Sequence, residues 1–240
     1  MSSRSSAVLV RYAGAEAAHS PAFRALLALY HAAIPARERH PDARIVGLLT
    51  RDDCRIWGLK DADADGALLG FAIVYVPPVS GGQRLALLEY TAVDPARRGG
   101  GLGGMLLAAV AEATLAEGAR LLAEVEDPRE PGIAEDERAM RQRRLRFYQR
   151  LGWGWIRDLD YVLPLVSADP DTPPPAMIVL DSQPEAPLRR AELGVGFELW
   201  FTQVYACAPE DPRIAAMLLP LADPVSVGPL SELSAHGTAG

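Results

Sequence analysis

The sequence predicts a mixed α/β fold, with a mostly antiparallel sheet and helices on both of its faces. Three strand-like segments follow one another at 54–60, 67–76 and 84–93, without a helix between them. Strands joined in this way form antiparallel hairpins. From Leu102 the apolar residues recur with a helical period, and a strand of the buried type follows at 120–126. This strand–helix–strand unit predicts one parallel crossover.

The segments before the hairpins predict one strand and two helices. Residues 7–12 (AVLVRY) have the composition of a strand, and residues 19–33 carry apolar side chains at intervals of three and four. The polar segment 34–44 contains two prolines and is predicted as a loop. The short run 45–50 (IVGLLT) is predicted as a helix.

Beyond the crossover, the pattern predicts a helix, a strand, a loop and a second strand, followed by two more helices. They lie at 135–151 (helix), 152–165 (strand), 167–175 (loop), 176–180 (strand), 188–206 (helix) and 213–221 (helix). We therefore expect a core domain over 1–181 and an extension over 182–240. The extension is predicted to be partly helical, with a loose tail from Pro224.

Composition indicates a globular chain, since 49% of the 240 residues are hydrophobic and 23% are charged. The net charge of −7 argues against a broad nucleic-acid surface, which needs positive charge. The first apolar run, AVLV, is too short for a signal peptide. No stretch approaches the ~20 apolar residues of a membrane helix. We expect a soluble, cytoplasmic protein that binds neither membranes nor nucleic acid.

Metal binding is not expected from the sequence. The two cysteines, Cys54 and Cys207, lie far apart, and neither has a partner at the spacing of metal ligands. The four histidines are scattered along the chain. The prediction is a protein without a metal site.

A glycine-rich turn joins a predicted strand to a predicted helix in EYTAVDPARRGGGLGGMLL (89–107). Glycine lets the backbone approach a ligand closely, and the amides at a helix start attract anions. A P-loop is excluded because no lysine follows the glycines. The dinucleotide fingerprint GxGxxG is matched by Gly99, Gly101 and Gly104, with Glu124 20 residues further on. Five residues separate the strand from these glycines, unlike that fingerprint, so a nicotinamide-dependent oxidoreductase stays as an alternative.

The same stretch resembles the cofactor-binding motif of the GCN5-related N-acetyltransferases, V-x-P-x-x-[QR]-x-x-G-x-[GA]. The positions that fill this pattern are Val93, Pro95, Arg98, Gly101 and Gly103. Downstream, FYQRLGW (147–153) resembles the second motif of the family, FY-x-x-x-G-[FW]. The predicted order of elements matches the family fold over about residues 7–181. The resemblance implies a GNAT-like acetyltransferase domain over 1–181.

The resemblance also implies a co-substrate, acetyl-CoA or another acyl-CoA, and no metal. Its pyrophosphate is expected on the backbone amides of the turn. The residues expected to hold it are Arg98, Gly99, Gly100, Gly101, Gly103 and Gly104. Backbone groups of Ala92 and Val93 are expected to bind the pantetheine arm.

Two side chains are implied as catalytic. Transfer to an amine needs a neutral amine and a protonated leaving thiolate. Tyr148 occupies the position whose tyrosine protonates the thiolate in related enzymes, and Glu89 the position of a glutamate that deprotonates the amine, directly or through water. Simpler interpretations stay open, since Tyr148 also fits a packed helix face and Glu89 a surface carboxylate. Neither cysteine lies in a matched motif, so no acyl-cysteine is expected.

Three carboxylates are candidates for binding the amine acceptor. Alternation along the strand places Glu124 and Glu126 on one face of the sheet. Glu38 lies in PARERHP (35–41), a loop that often covers the acceptor in this family. Solvated surface charge is the alternative for each of them. The expected partner is a small-molecule or peptide amine. Dimers are common in the family, so the resemblance leaves a homodimer and a monomer open. A non-catalytic acyl-CoA binder or sensor is the alternative function.

Overall fold

A computed structural model describes residues 7–62, 66–78, 82–97, 100–164 and 174–237. In chain order, the elements are β1 (Ala7–Tyr12), α1 (Pro21–Ala33), α2 (Asp42–Leu48), β2 (Cys54–Asp61), β3 (Leu68–Tyr75), β4 (Arg84–Val93), α3 (Leu102–Ala116), β5 (Ala119–Glu126), α4 (Glu135–Arg150), β6 (Gly154–Ile156), β7 (Met177–Asp181), α5 (Arg190–Gln203), α6 (Pro212–Leu218) and β8 (Val227–Pro229). The strands form one sheet in the order β1-β2-β3-β4-β5-β7-β6-β8. The pairs β1/β2, β2/β3, β5/β7, β6/β7 and β6/β8 are antiparallel. The mixed, mostly antiparallel α/β fold predicted from the sequence is confirmed.

The largest differences from the predicted elements lie after α4. Instead of a strand over 152–165, β6 spans three residues, and Tyr161 makes a single bridge to Met177. Asp158 has a φ of 58°, a left-handed conformation that ends an extended strand. The tail is not loose over its first part, because β8 pairs with β6 and a 3₁₀ helix follows at Leu230–Gly237.

The segment between α1 and β2 also differs from its prediction. The loop predicted over 34–44 contains a 3₁₀ turn at Ala36–Glu38, and α2 begins within it at Asp42. Pro41 precedes this helix start, and the fixed φ of proline favours such a position. The helix predicted from residue 45 therefore begins three residues earlier.

The described residues form two compact units. The first contains β1, β2, β3, the second half of β4, and the helices α1, α2 and α3. Its core includes Phe23 and Tyr30 of α1 and Phe71 of β3, all fully buried. Helix α1 starts where Ser20 accepts a hydrogen bond from the amide of Phe23, a typical N-cap.

The second unit contains the first half of β4 and everything from Gly118 onward. Helix α5 is buried in it through Phe197, Trp200 and Phe201. The indole Nε1 of Trp200 donates to the carbonyl of Leu85 over 3.0 Å. Gly196 lets the helix approach closely, since a Cβ there would lie 2.9 Å from Leu85 Cδ1. Apolar burial thus holds α5 onto the start of β4.

An ion pair without solvent exposure lies in the second unit. Arg120 donates to both carboxylate oxygens of Asp181, and both side chains are 0% exposed. The same guanidinium also donates to the carbonyls of Gln183, Ala186 and Pro187. A buried charge needs such complete pairing. The pair therefore fixes the backbone turn between β7 and α5.

Asp181→Asn is expected to destabilise the protein by about 3–5 kcal/mol, because it leaves a buried arginine without its counter-charge. The measurement is urea unfolding followed by circular dichroism. Glu135→Gln is the matched control, since its pair with Arg138 is 3.8 Å long and Glu135 is 88% exposed. The control should cost less than about 1 kcal/mol. Equal losses in the two variants would contradict the role given to Asp181.

Candidate functional site

The glycine-rich turn leads from β4 into α3 in the first unit. After Val93 the chain makes a 3₁₀ turn at Pro95–Arg97, and α3 begins at Leu102. Gly101 precedes the helix with a φ of 77°, a conformation that favours glycine. The first amide that bonds back into the helix is that of Met105, which donates to Gly101. The amides before it, including those of Gly103 and Gly104, thus form a helix start suited to an anion.

Two of the predicted cofactor residues, Arg98 and Gly99, lie outside the described residues. Gly100 and Gly101 are exposed, and Gly103 and Gly104 are half-buried. A Cβ built on Gly101 would meet no atom of the described chain within 4 Å. The turn therefore has open space beside its backbone, as close approach of a pyrophosphate requires. The residues present fit such a group.

Ala92 and Val93, predicted to bind the pantetheine arm, are half-buried at the end of β4. Gly70 of β3 lies beside them. A Cβ at Gly70 would stand 2.8 Å from the Ala92 carbonyl oxygen and 3.1 Å from Val93 Cγ1. Gly70 thus permits the close approach of β3 to the end of β4. Sequence reasoning missed it, although a glycine inside a strand-like run is a signal for such an approach.

Glu89, the predicted base, lies on β4 in the first unit with its side chain only 9% exposed. Its Oε1 is 3.3 Å from His40 Nε2 and 3.7 Å from Arg44 Nη2. Oε1 is buried and accepts no hydrogen bond within the described part of the chain. Glu89 is therefore not a solvated surface carboxylate. It is a buried acceptor flanked by two basic side chains.

Those basic side chains come from the segment 34–44, which we call the strap. Tyr90 donates its hydroxyl to the carbonyl of Glu38 over 2.7 Å. The amide of His40 donates to the hydroxyl of Tyr30 over 2.7 Å. Burial, followed by the hydrogen bond with Tyr30, raises the pKa of Tyr90 far above its usual value, so its hydroxyl stays protonated. These bonds hold the strap against β4 and α1.

A second histidine supports the strap from α1. His31 Nε2 is 2.8 Å from Asp42 Oδ1, and its Nδ1 is 2.7 Å from Arg39 Nη1. Glu38, a predicted contact of the amine acceptor, is exposed on the strap. Glu38 therefore belongs to the same segment as His40 and Arg44, the two residues that lie beside Glu89. Sequence reasoning did not identify His40 or Arg44.

Tyr148, the predicted acid, lies on α4 in the second unit and is 5% exposed. Its ring packs against Phe147 and Trp153, with centroids 5.4 and 5.0 Å away. Burial raises the pKa of Tyr148 to about 12, with a smaller opposing effect from Arg144. The phenol is thus both packed and fully protonated at neutral pH, as a proton donor must be.

Glu124 and Glu126 of β5 have different surroundings in the second unit. Glu124 accepts hydrogen bonds from the hydroxyls of Tyr161 and Tyr205. Glu126 accepts from Arg144 Nη1 over 2.8 Å and lies 3.8 Å from Arg141 Nη2. Two arginines of α4 thus lie against Glu126. Glu124 is the carboxylate set among hydroxyl and aromatic groups.

Within the described ranges, no three His, Cys, Asp or Glu side chains are placed to hold a metal ion. None of the described helices is both long and apolar enough to cross a membrane.

Residues 21–153 match the sequence model of the acetyltransferase (GNAT) family. The matched range is more than half of the 240 residues. No relative is found among the curated proteins. Similar solved structures include an IAA acetyltransferase from Bacillus cereus, at 18% identity over 73% of this chain and 98% of that one, with a TM-score of 0.45. NAA60 of Arabidopsis thaliana in complex with acetyl-CoA is 12% identical over 73% of this chain and 97% of that one, with a TM-score of 0.49. The ribosomal-protein-S18-alanine N-acetyltransferase of Escherichia coli is 17% identical over 73% and 92%, with a TM-score of 0.46. The family assignment rests on the sequence match.

Tyr148→Phe is expected to change how stability depends on alkaline pH. The pKa of Tyr148 is higher in the folded state, about 12, than in the unfolded state, ~10. The protonated phenol therefore contributes its full stability below pH ~10, and this contribution is lost as the pH rises towards ~12. By about pH 11.5, wild type should lose about 2 kcal/mol more than the variant, because the variant has no phenol at this position. Urea unfolding from neutral pH to about pH 11.5 measures this difference. Parallel losses in the two proteins would contradict the burial of a protonated phenol.

Proposed function

Because the chain belongs to the acetyltransferase (GNAT) family, we propose that it transfers an acetyl group from acetyl-CoA to a primary amine by direct attack of the amine on the thioester. The observation that carries this proposal is the Glu89 carboxylate. It is 9% exposed, flanked by His40 and Arg44, and its Oε1 accepts no hydrogen bond from the described residues. A buried carboxylate with unused acceptor capacity suits a general base.

The acyl-CoA is proposed to bind at the start of α3. Its pyrophosphate is negative, and the helix start combines amides without helical partners with the positive end of the helix dipole. Gly100, Gly101, Gly103 and Gly104 keep this backbone accessible, and Arg98 and Gly99 complete the proposed turn. Ala92 and Val93 are proposed to bind the pantetheine arm through their backbone groups. An acidic protein can thus bind this anion through a local site.

The proton transfers are proposed as follows. The amine nitrogen forms a bond to the thioester carbon and gives a proton to Glu89, directly or through water. The carbon–sulfur bond breaks, and Tyr148 gives its proton to the leaving thiolate. The raised pKa of Tyr148, about 12, keeps the phenol in its donor form before this step.

Direct attack is favoured over an acyl-cysteine intermediate. Burial raises the pKa of the Cys54 thiol to about 12, and Cys54 is 5% exposed. Thiolates are the nucleophilic form of cysteine, so this thiol is unreactive at neutral pH. Cys207 lies outside both sequence motifs.

The acceptor is proposed to be a cationic amine of a small molecule or peptide. Glu124 supplies negative charge beside the aromatic groups of Tyr161 and Tyr205. Such a combination suits an ammonium group, which aromatic faces also attract. Glu38 of the strap is a second candidate contact. Glu126 is engaged by Arg144, so we assign it a weaker part.

Residues 1–181 are proposed as the acetyltransferase domain and 182–240 as its extension. Tyr205, which bonds to Glu124, belongs to the extension. The extension is therefore proposed to shape the acceptor end of the second unit. Its buried helix α5 fixes that contribution in place.

Wild type is expected to bind acetyl-CoA with micromolar affinity and to release CoA when one amine of a cationic panel is present. Gly101→Asp should abolish binding, because it places a negative side chain and a strained φ at the pyrophosphate. Tyr148→Phe should retain binding and lose about 100-fold or more in kcat. Titration calorimetry and a thiol-release assay measure the two quantities.

Gly47→Asp is the matched control for the glycine turn, because Gly47 is an exposed glycine of α2 with open space around its Cβ position. It should bind acetyl-CoA as wild type does. Binding of NADH in place of acetyl-CoA would overturn the proposal in favour of a dinucleotide enzyme. Acetyl-CoA binding without CoA release for any amine would favour an acyl-CoA sensor.

A further inference from the structure

The burial of Glu89 raises a question about the proton that it receives. A general base must return its proton to solvent before the next turnover. The Glu89 side chain is only 9% exposed, and Oε1 is buried. An adjacent group that accepts the proton and reaches solvent would complete the cycle.

Two basic side chains of the described residues form ion pairs with Oε1, and of these two only His40 can accept a proton. Arg44 Nη2, at 3.7 Å, belongs to a guanidinium, which stays protonated and has no acceptor nitrogen. His40 Nε2, at 3.3 Å, belongs to an imidazole, which in its neutral form has one nitrogen that can accept a proton. The His40 side chain is 28% exposed, about three times the exposure of Glu89. His40 therefore connects the buried oxygen to solvent.

The position of His40 is fixed by its neighbours. Its amide donates to the Tyr30 hydroxyl over 2.7 Å, and its ring meets the Tyr90 ring edge-on, with centroids 5.9 Å apart. Burial raises the pKa of both tyrosines, so neither competes for the proton near neutral pH. The charged and titratable groups around His40 are Tyr30 of α1, Glu89 and Tyr90 of β4, and Glu38, Arg39 and Arg44 of the strap and α2.

We propose that His40 is a positioning and relay residue that carries the amine proton from Glu89 to solvent. The inference rests on the proposed function. The amine N–H bond breaks as the C–N bond forms, and the proton moves to the Glu89 carboxylate, directly or through water. That proton then passes to the lone pair of His40 Nε2, which restores the carboxylate and forms an imidazolium. The imidazolium then loses a proton to water, and proton exchange with solvent at its two nitrogens restores the lone pair on Nε2. The 3.3 Å separation is longer than a formed hydrogen bond, as is usual for catalytic pairs without substrate.

The relay predicts a specific effect of His40→Gln. In wild type, kcat should fall towards acidic pH, since an imidazolium cannot accept another proton. In His40→Gln, kcat should fall by about 10- to 100-fold at neutral pH, and this limb of the profile should disappear. The KM for acetyl-CoA should not change. In His40→Ala, added imidazole should restore part of kcat in a saturable manner.

His31→Gln is the matched control, because His31 also holds the strap but contacts Asp42 and Arg39 instead of Glu89. A purely structural role for the strap predicts similar defects in both histidine variants, with the wild-type pH limb retained and no imidazole rescue. The relay predicts loss of the limb and rescue only at His40. Thermal unfolding verifies that each variant is folded. If His40→Ala is not folded, the pH profile of His40→Gln distinguishes the relay from a structural role.

Two negative results have different meanings. Turnover with an unchanged pH limb in folded His40→Gln would overturn the relay and leave the proposed function standing. Absence of turnover in wild type with every amine would overturn the proposed function and the relay together.

Discussion

A carboxylate buried in β4 is the constraint on which the first unit depends. Burying a charge is costly unless basic or hydrogen-bonding groups compensate for it. Here the positive charge beside Glu89 is the guanidinium of Arg44, and His40 lies next to the same oxygen; both residues are more than 40 positions away in sequence. The strap that carries them is in turn bound by Tyr30 and Tyr90. The contacts that hold the strap in place therefore also hold the two basic side chains beside Glu89.

In the second unit, apolar burial and one buried ion pair hold the C-terminal helices against the sheet. Trp200 and its aromatic neighbours bury the apolar face of α5, and the Arg120–Asp181 pair fixes the turn that precedes it. The end of this helical segment thereby places the Tyr205 hydroxyl against Glu124. Arg120 and Asp181 thus stabilise the turn, whereas Glu124, the proposed acceptor contact, accepts hydrogen bonds from hydroxyl groups.

The sequence predicted those features that depend on residues close together in the chain, such as helix starts and helix ends. The helix start at Leu102 and the left-handed Gly101 follow from the glycine run, and α3 ends before Gly118, which has a φ of 75°. Pairings between distant residues had no such signal. Neither the contact of His40 with Glu89 nor the pairing of β8 with β6 follows from periodicity, because both depend on tertiary packing. Glu124 and Glu126 looked equivalent by alternation, and only their neighbours on other elements distinguish them.

The central claim is that Glu89 removes the amine proton during direct attack, and one pH–rate comparison tests it most directly. The measurement is kcat/KM for a single amine of known pKa, in wild type and in Glu89→Gln. Without a base, only neutral amine reacts. The kcat/KM of the variant should therefore rise about tenfold per pH unit and approach that of wild type only near the pKa of the amine. Wild type should level off at lower pH. Profiles of equal height and shape would contradict the assignment of Glu89 as the base.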